Sequence, residues 1–350
     1  MTDLEKMLCK YFNSPYCVYT GNATTAMYLV FKTLRLQKKK VIFPAITCTN
    51  PVNAALYAGW NVDFCDVQLR DYTIDLEELE KMLQTNLYSV IVPTHIYGHR
   101  YDERIVRKLA QKYNVILFED AAQSYYIGDS DISVMSFGHT KICESQFGGG
   151  AVFTRDESFF LELQKERKNI PLWNENIEEL NILYREKYYD IIKREPDWKI
   201  RNERLKNLQM QSKECFIYHT SENIELLYKL NCLEKNVNER EKKTKLYDAR
   251  LNTEFIIKPN TRSLCRWRYT FIYKGNRHFL VKQARKKGID ISNWYPSLEG
   301  IYKGKHMNVA DQIENQIVNL WIDELHSIDQ IQKEIKVLNQ IMESDYGRNK

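Results

Sequence analysis

Residues 115–123 read VILFEDAAQ, and residues 134–141 read VMSFGHTK. Each segment begins with a short apolar run of the kind that forms a buried strand, and each ends in polar residues. When a parallel sheet is covered on both faces, its strands are apolar throughout and ligands bind at their carboxyl ends. The two segments therefore predict strands whose ends present an acid, Asp120, and an amine, Lys141, where chemistry is expected.

The same pattern recurs over the first 155 residues. Amphipathic segments such as 75–83 and 103–110 fall between apolar runs and carry apolar residues three and four apart, as helices packed on a sheet require. Alternation of strands and helices predicts an α/β fold with a mostly parallel sheet between helices. The apolar runs are residues 41–43, 62–64, 89–92, 115–118, 134–137 and 151–153.

The second half of the chain has a different character. Residues 156–245 are rich in Lys, Glu, Asn and aromatic residues and poor in glycine, which favours helices. Residues 266–273 alternate like a half-buried strand, and a basic helix, a short strand and a last helix over residues 328–342 follow. We therefore predict two domains, a large one over residues 1–250 and a smaller α+β one over residues 251–350.

The composition excludes several classes of protein. The chain has 350 residues, 43% of them apolar and 28% charged, with a net charge of +5, which is typical of a soluble globular protein. A nucleic-acid-binding protein would show a dense basic patch, and a membrane protein an apolar stretch of about 18 residues. Eight scattered cysteines without a C-x-x-C spacing predict reduced thiols in a cytoplasmic protein and no metal site.

Asp120 and Lys141 each have two interpretations. An acid at the end of a buried strand needs a partner, and a protonated ring nitrogen of a cofactor is one; the alternative is a helix N-cap. A lysine after a strand, in a buried pocket, has a lowered pKa and becomes a nucleophilic amine; the alternative is a surface lysine.

Two further segments fit a phosphorylated ligand or a purely structural role. The three glycines at 148–150 let the backbone approach a ligand or a neighbouring segment closely, and a tight turn is the alternative. Residues 20–27 open a helix with small and hydroxylated residues, which suits a phosphate because the first amides of a helix are free. Simple N-capping by threonine is the alternative there.

In this order and spacing, the segments resemble the DegT/DnrJ/StrS family of sugar aminotransferases, which have the fold type I architecture of pyridoxal-phosphate enzymes. Further matching pieces are Tyr57-Ala58-Gly59, His95-Ile96-Tyr97-Gly98, Lys287-Gly288-Ile289 and Trp294-Tyr295-Pro296. The resemblance implies a large domain with a mostly parallel seven-stranded sheet and a smaller α+β domain. It also implies the cofactor pyridoxal 5'-phosphate.

The resemblance also implies roles for single residues. Lys141 matches the lysine that binds the cofactor as a Schiff base and moves the proton, and Asp120 matches the partner of the ring nitrogen. Gln123 matches the contact of the phenolic oxygen, and Ser136 a phosphate ligand. The helix start that holds the same phosphate matches Ala23, Thr24 and Thr25.

Three departures from the family pattern limit what the resemblance implies. Cys48 occupies the position where the family places an aromatic residue over the cofactor ring, and a thiol gives less stacking area. Residues 170–221 lack the Asn-Tyr-Arg-like stretch that reaches into the partner's site. His139 lies two residues before Lys141, whereas relatives that are dehydratases have histidine in place of the lysine itself.

The resemblance implies amino transfer from an amino acid, glutamate by analogy, to a keto group on a nucleotide-linked keto-deoxy sugar. It further implies a homodimer that binds neither nucleic acid nor membrane. Two alternatives remain open, a pyridoxal-phosphate-dependent dehydratase and a non-catalytic, regulatory protein that binds the cofactor. A Rossmann dehydrogenase is disfavoured because no G-x-G-x-x-G follows the first strand.

Overall fold

The computed structural model describes residues 1–221, 223–261, 263 and 265–348. The strands in this part of the chain are β1 Tyr16–Thr20, β2 Lys40–Pro44, β3 Asn61–Cys65, β4 Val90–Ile91, β5 Ile116–Asp120, β6 Ile132–Ser136, β7 Gly150–Thr154, β8 Ile256–Ile257, β9 Tyr269–Tyr273, β10 Ile291–Ser292 and β11 Ile317–Leu320. The α-helices are α1 Asp3–Tyr11, α2 Ala23–Thr33, α3 Thr49–Tyr57, α4 Leu76–Gln84, α5 Glu103–Lys112, α6 Glu157–Arg167, α7 Glu175–Arg194, α8 Trp198–Gln211, α9 Lys213–Phe216, α10 Ile224–Asn231, α11 Leu233–Arg250, α12 Arg277–Lys286, α13 Leu298–Lys303, α14 Asn308–Gln316 and α15 Ile328–Arg348.

The first seven strands form one sheet in the order β1-β7-β6-β5-β4-β2-β3. The pairs from β3 to β6 are parallel, whereas β7 is antiparallel to both of its neighbours. A parallel pair needs a crossover that usually contains a helix, and residues 137–149 between β6 and β7 form only turns. The prediction of an α/β fold with a mostly parallel seven-stranded sheet is confirmed.

A second sheet is antiparallel and has the order β10-β11-β9-β8. Its apolar face packs with α11, α12 and α15 into a core of its own. The prediction of a half-buried strand over residues 266–273 is wrong in two respects, since β9 begins only at Tyr269 and all five of its residues are buried. The division of the chain into domains at residue 250, where α11 ends, stays a prediction.

Residues 156–245 form helices α6 to α11, as their composition predicted. None of the helices within the described ranges combines the length and the hydropathy that a membrane crossing requires. Helix α9 lies at the end of the first sheet where β5 and β6 terminate. There the carbonyl oxygen of Phe216, its last residue, accepts hydrogen bonds from Asn22 and Thr25 at the start of α2.

A tight joint connects the first sheet to the strand β9 of the second. The backbone N–H of Trp267 donates to the carbonyl oxygen of Tyr97 at 2.8 Å. Gly98 has a φ of +87°, and a Cβ atom there would lie 2.6 Å from the backbone nitrogen of Trp267. Only glycine combines this backbone conformation with so close an approach. The joint brings residues 95–98 and 266–268 to the same end of the first sheet.

Candidate active site

The candidate site lies at the carboxyl ends of β5 and β6, which are adjacent and parallel. Asp120 is the last residue of β5 and pairs in register with Val134 of β6. Ser136 ends β6, and Lys141 follows in the turn that leads away from it. The chain therefore brings the predicted acid and the predicted amine to one edge of the sheet.

The Asp120 side chain is buried, at 2% exposure, and has few partners. One of its oxygens accepts from the backbone N–H of Ala122 at 3.0 Å, and the other lies 3.5 Å from the hydroxyl of Thr94. Burial raises the pKa of Asp120, while the nearby Lys141 amine opposes that shift. Asp120 therefore closes a turn rather than capping a helix, and among the residues that the structure describes its charge has no oppositely charged partner in direct contact.

The Lys141 amine lies in an apolar setting, 4.7 Å from the centroid of the Trp267 ring. Burial lowers the pKa of Lys141, and the neighbouring Cys48 and Asp120 act in the opposite direction. Across the described ranges, no hydrogen-bond acceptor contacts this amine. The indole N–H of Trp267 donates to the carbonyl oxygen of Thr140 at 2.7 Å and so holds the turn that carries Lys141.

Gln123 is buried and forms part of a group of aromatic residues. Its side-chain oxygen accepts from the backbone N–H of Tyr97 at 2.7 Å, and its side-chain nitrogen donates to the hydroxyl of Tyr295 at 3.3 Å. The rings of Tyr97 and Tyr295 stack at 5.8 Å, and Trp267 stacks on Tyr295 at 6.4 Å. The amide of Gln123 is thereby fixed in place, with one of its two N–H donors still available.

Ala23, Thr24 and Thr25 form the first turn of α2, with Asn22 as the N-cap. The Asn22 side chain accepts from the backbone N–H of Thr25 at 2.8 Å. The hydroxyl of Thr25 lies 3.0 Å from the carbonyl oxygens of both Phe216 and Tyr218. Its hydroxyl is therefore engaged by the segment after α9, and the first backbone amides of the turn remain the donors for an anion.

One glycine of the predicted cluster, Gly150, is required by a close contact. A Cβ atom at that position would lie 2.4 Å from the backbone nitrogen of Ala23. The neighbour that the glycine admits is the start of α2. Ser136 is partly buried, and its hydroxyl accepts from the backbone N–H of Gly138 at 3.3 Å. The contact at Gly150 places the first residue of β7, and with it the last residue of β6, next to the start of α2.

Cys48 occupies the N-cap position of α3 without a side-chain capping bond. Burial raises the pKa of its thiol, and Lys141 and Asp120 are among the charges that act on it. Cys48 thus lies near enough for both charges of the candidate site to act on its thiol. The aromatic side chain beside the amine is Trp267, which comes from a distant part of the sequence.

His95 and Glu119 form a fully buried pair directly behind Asp120. The Nε2 atom of His95 lies 2.7 Å from a Glu119 oxygen, and the Glu119 carboxylate also accepts from Ser133 and from the backbone of Gly128. Burial alone would raise the pKa of Glu119, but these hydrogen bonds outweigh burial and lower the pKa. The backbone N–H of His95 donates to the carbonyl oxygen of Asp120 at 3.1 Å, so the pair supports the strand end that carries the acid.

We expect Glu119→Gln to lower the free energy of unfolding at pH 7 by about 3–5 kcal/mol, because it leaves buried donors without a charged acceptor. A lowered pKa in the folded state means that the stabilisation by Glu119 is present above its unfolded pKa of about 4.3 and is lost as the pH falls below it. Urea unfolding at pH 7 and at pH 4 measures both effects.

Glu103→Gln is the matched control, since Glu103 forms a partly exposed ion pair with Arg100. We expect it to change the free energy of unfolding by less than about 1 kcal/mol. Equal stability of Glu119→Gln and the wild-type protein at pH 7 would contradict the role of the pair.

A cavity of about 970 Å³ opens beside the start of α2. Its walls come from the turns at residues 138–139 and 146–149, from α7, and from residues 218–221. The side chains that line it include Trp173, Glu178, Arg185, Tyr218 and His219. The cavity adjoins the candidate site through Gly138, two residues after Ser136.

Sequence reasoning did not assign Tyr97, Trp267 or Tyr295 to the site. Two of them were within reach, since Tyr97 and Tyr295 lie in the segments HIYG and WYP that the resemblance singles out. Trp267 belongs to a run that was interpreted only as a strand. No local pattern indicates that its ring would face a lysine located 126 residues earlier in the chain.

Comparison with known proteins supports the motif-based resemblance. Residues 1–167 match the DegT/DnrJ/EryC1/StrS aminotransferase family. The chain is 29% identical over 197 residues to a UDP-4-amino-4,6-dideoxy-N-acetyl-beta-L-altrosamine transaminase of Campylobacter jejuni, which covers 52% of each protein. It is 30% identical over 166 residues to a UDP-2-acetamido-2-deoxy-3-oxo-D-glucuronate aminotransferase of Pseudomonas aeruginosa, covering 45% of this chain and 46% of that protein. The chain spans about half the length of the curated relatives that it matches.

Solved structures share the fold over nearly the whole chain. A DegT/DnrJ/EryC1/StrS aminotransferase from Brucella abortus has a TM-score of 0.74 at 20% identity, covering 97% of this chain and 89% of that one. A GDP-4-keto-6-deoxy-D-mannose-3-dehydratase from E. coli has a TM-score of 0.71 at 18% identity, covering 95% and 90%. The fold is thus common to an aminotransferase and a dehydratase. Over residues 1–167, the chain is thus similar in sequence and motifs to the DegT/DnrJ/EryC1/StrS aminotransferase family.

Proposed function

We propose that the protein is a pyridoxal-phosphate-dependent aminotransferase that moves an amino group from an amino acid to a keto group on a nucleotide-linked sugar. The observation that carries the proposal is the arrangement of Asp120 and Lys141. Asp120 is buried at the end of β5, and Lys141 is partly buried in the turn after the neighbouring β6, where each charge acts on the other. Neither has a partner of opposite charge in direct contact in the part of the chain that the structure describes. Buried charges without partners are costly, so such a pair indicates a missing ligand.

The surrounding residues fit this cofactor. Pyridoxal 5'-phosphate supplies an aldehyde that accepts an amino group and a ring that withdraws electrons when its nitrogen is protonated. Asp120 would hold that proton on the nitrogen, and Lys141 would bind the aldehyde carbon and later move a proton as general base. The spare N–H of Gln123 would donate to the phenolic oxygen. Ser136 and the first amides of α2, at Ala23 and Thr24, would hold the phosphate.

The position of His139 favours amino transfer over dehydration. The side chain of His139 is 86% exposed, and its nearest acidic partner is Glu144 at 3.8 Å. Of the two basic residues in this turn, Lys141 is the one whose charge acts on Asp120. A lysine can both bind the aldehyde and carry the proton.

The cavity beside α2 supports a large, anionic acceptor. Its lining offers aromatic surface at Trp173 and Tyr218 and a cationic side chain at Arg185. Such a set suits a nucleotide, which combines a flat base with a diphosphate. The named relatives from Campylobacter and Pseudomonas act on UDP-linked sugars, which is the same chemical class. A product of this kind is a building block for surface polysaccharide such as O-antigen.

A homodimer in the cytoplasm completes the proposal. Helix α7 exposes several apolar side chains at fractions of 37–48%, which a second copy of the chain would bury. These residues are Leu180, Ile182, Leu183, Tyr189 and Ile192. They lie in the region where the resemblance places the contacts between subunits. A mass of 41.7 kDa in light scattering, which is the mass of one chain, would contradict the dimer.

The test of the function combines spectroscopy with a product screen. The protein with pyridoxal 5'-phosphate should absorb visible light and lose that band when L-glutamate is added, releasing 2-oxoglutarate. The loaded protein should then aminate one member of a panel of keto-sugar nucleotides, detected by mass spectrometry. Conversion of a sugar without consumption of glutamate would favour the dehydratase. A stable visible band without any turnover would favour the regulatory protein.

A further inference from the structure

Arg268 is a buried cation that the proposed chemistry has not yet used. It directly precedes β9 and is 5% exposed. The centre of its guanidinium lies 4.6 Å from the centroid of the Trp267 ring, and the group also stacks on Trp321. Within the described ranges, its side chain forms no salt bridge and no hydrogen bond. A buried guanidinium normally has a carboxylate or phosphate partner, because burial of an unpaired charge is costly.

The charges nearest to Arg268 do not neutralise it. The Asp323 carboxylate is engaged by Nδ1 of His326 at 2.7 Å and by the backbone N–H of Leu325 at 3.1 Å. Asp290 is exposed to solvent. Burial accordingly lowers the pKa of Arg268 to about 9, although Asp323 and Tyr295 oppose the shift. No group in the described part of the chain therefore forms a direct ion pair with the Arg268 guanidinium.

The neighbouring Arg266 shows what a paired arginine looks like in the same segment. It is buried to the same degree, but it lies 3.6 Å from a carboxylate oxygen of Asp248. Its side chain also donates to the carbonyl oxygen of Ser263. Nη1 of Arg266 is buried without a hydrogen-bond partner among the described residues, so Arg266 is only partly paired, whereas Arg268 has neither an ion pair nor a side-chain hydrogen bond there.

Arg268 and Lys141 contact the same indole ring. The amine of Lys141 lies 4.7 Å and the guanidinium carbon of Arg268 lies 4.6 Å from the centroid of Trp267. Their separation therefore cannot exceed the sum of these two distances. An α-amino acid carries its carboxylate two bonds from its amine. A donor bound through its nitrogen at the position of the Lys141 amine would therefore hold its carboxylate close to an indole ring that Arg268 also contacts.

We propose that Arg268 binds a carboxylate of the amino donor through the two parallel N–H groups of its guanidinium. The inference rests on the proposed function and adds to it the residue that selects an amino acid as the donor. A phosphate is the other anion that arginine prefers. The contacts of Arg268 are with Trp267 and Trp321 and not with α2, where the cofactor phosphate is expected. The carboxylate is therefore the ligand to which the proposal commits.

The test measures the binding of maleate, a dicarboxylate without an amine, by calorimetry and by the rise in melting temperature. Arg268→Gln should weaken maleate binding about 10- to 100-fold, as expected for loss of a bidentate, charge-assisted interaction. It should also raise the L-glutamate concentration needed for half-maximal loss of the visible band by a similar factor. Arg266→Gln is the matched control and should leave maleate affinity unchanged within about twofold.

Arg268→Lys keeps the charge but not the fork of donors, so it should still lose about fivefold or more in affinity. It serves as the test should Arg268→Gln fail to fold. Maleate affinity equal to that of the wild-type protein in either folded variant would overturn the proposal, and so would absence of maleate binding to the wild-type protein. If inorganic phosphate competes with maleate in the wild-type protein but not in the Arg268 variants, the site binds phosphate, and the proposal is overturned as well.

These measurements separate the proposal from the function on which it rests. Maleate binding is recorded with and without pyridoxal 5'-phosphate, so it needs neither turnover nor a visible band. If no visible band forms, the aminotransferase assignment fails irrespective of Arg268. If the band forms and responds to glutamate while the Arg268 variants bind maleate as tightly as the wild-type protein, the aminotransferase assignment stands and the proposed role of Arg268 is wrong.

Discussion

Replacement of Lys141 by alanine is expected to abolish both covalent attachment of the cofactor and amino transfer. Under the proposed function, the variant would lack both the nucleophile for the aldehyde and the base that moves the proton, so we expect the rate to fall by roughly 10⁴-fold or more. Treatment with borohydride followed by peptide mapping should show the cofactor mass on Lys141 in the wild-type protein. The same treatment of Lys141→Ala should show no labelled lysine.

Lys112→Ala is the control for this experiment, because Lys112 is an exposed lysine on α5 that pairs with Glu80. It should keep wild-type labelling and rate. A small primary amine added to Lys141→Ala should restore part of the rate, since it replaces the missing base. Turnover by Lys141→Ala within about tenfold of the wild-type rate, without added amine, would remove Lys141 from the chemistry.

Replacement of Asp120 by asparagine is expected to have opposite effects on activity and on stability. An amide cannot keep the ring nitrogen protonated, so the rate should fall by about 10²–10³-fold, as for loss of one preorganised electrostatic contact. Burial raises the pKa of Asp120, which means that its ionised form destabilises the cofactor-free fold at neutral pH. The melting temperature of cofactor-free Asp120→Asn should therefore equal or exceed that of the wild-type protein.

The same substitution at Asp102 provides the comparison. Asp102 caps α5 by accepting from the backbone N–H of Ile105 at 3.0 Å, and asparagine caps helices as well as aspartate does. Asp102→Asn should leave both rate and melting temperature close to wild type. A lower melting temperature for cofactor-free Asp120→Asn, together with an unchanged rate, would assign Asp120 a structural role only.

The parallel part of the fold could be predicted from the sequence because each buried strand appears there as an uninterrupted apolar run. The runs at 41–43, 62–64 and 115–118 correspond to β2, β3 and β5, each within two residues. Strands covered on both faces are apolar at every position, so they stand out from the amphipathic helices between them. The strand β1 was missed, since Tyr16–Thr20 mixes aromatic, polar and small residues.

The direction of β7 could not be read from the sequence for a different reason. Its run at 151–153 is as apolar as those of the parallel strands, and burial does not depend on direction. Direction depends on the connection before the strand. The residues between 137 and 149 are polar and glycine-rich, which indicated a ligand turn but gave no pairing partner.

The candidate site was predictable where its residues follow strands and unpredictable where it depends on distant parts of the chain. Asp120 and Lys141 were chosen because each comes directly after an apolar run. Trp267 and Arg268 reach the same edge only through the joint at Gly98, which is a contact between segments about 170 residues apart. Single-sequence periodicity carries no information on such pairings.

The joint between Gly98 and Trp267 also bears on the order in which a ribosome completes this chain. All of β1 to β7, with Asp120 and Lys141, are synthesised before Trp267 and Tyr295. Domains fold from the amino terminus as the nascent chain emerges. The nascent first sheet therefore exists for a time with Lys141 uncovered at its edge, and binding of the proposed cofactor has to wait until Trp267 and Tyr295 have been translated.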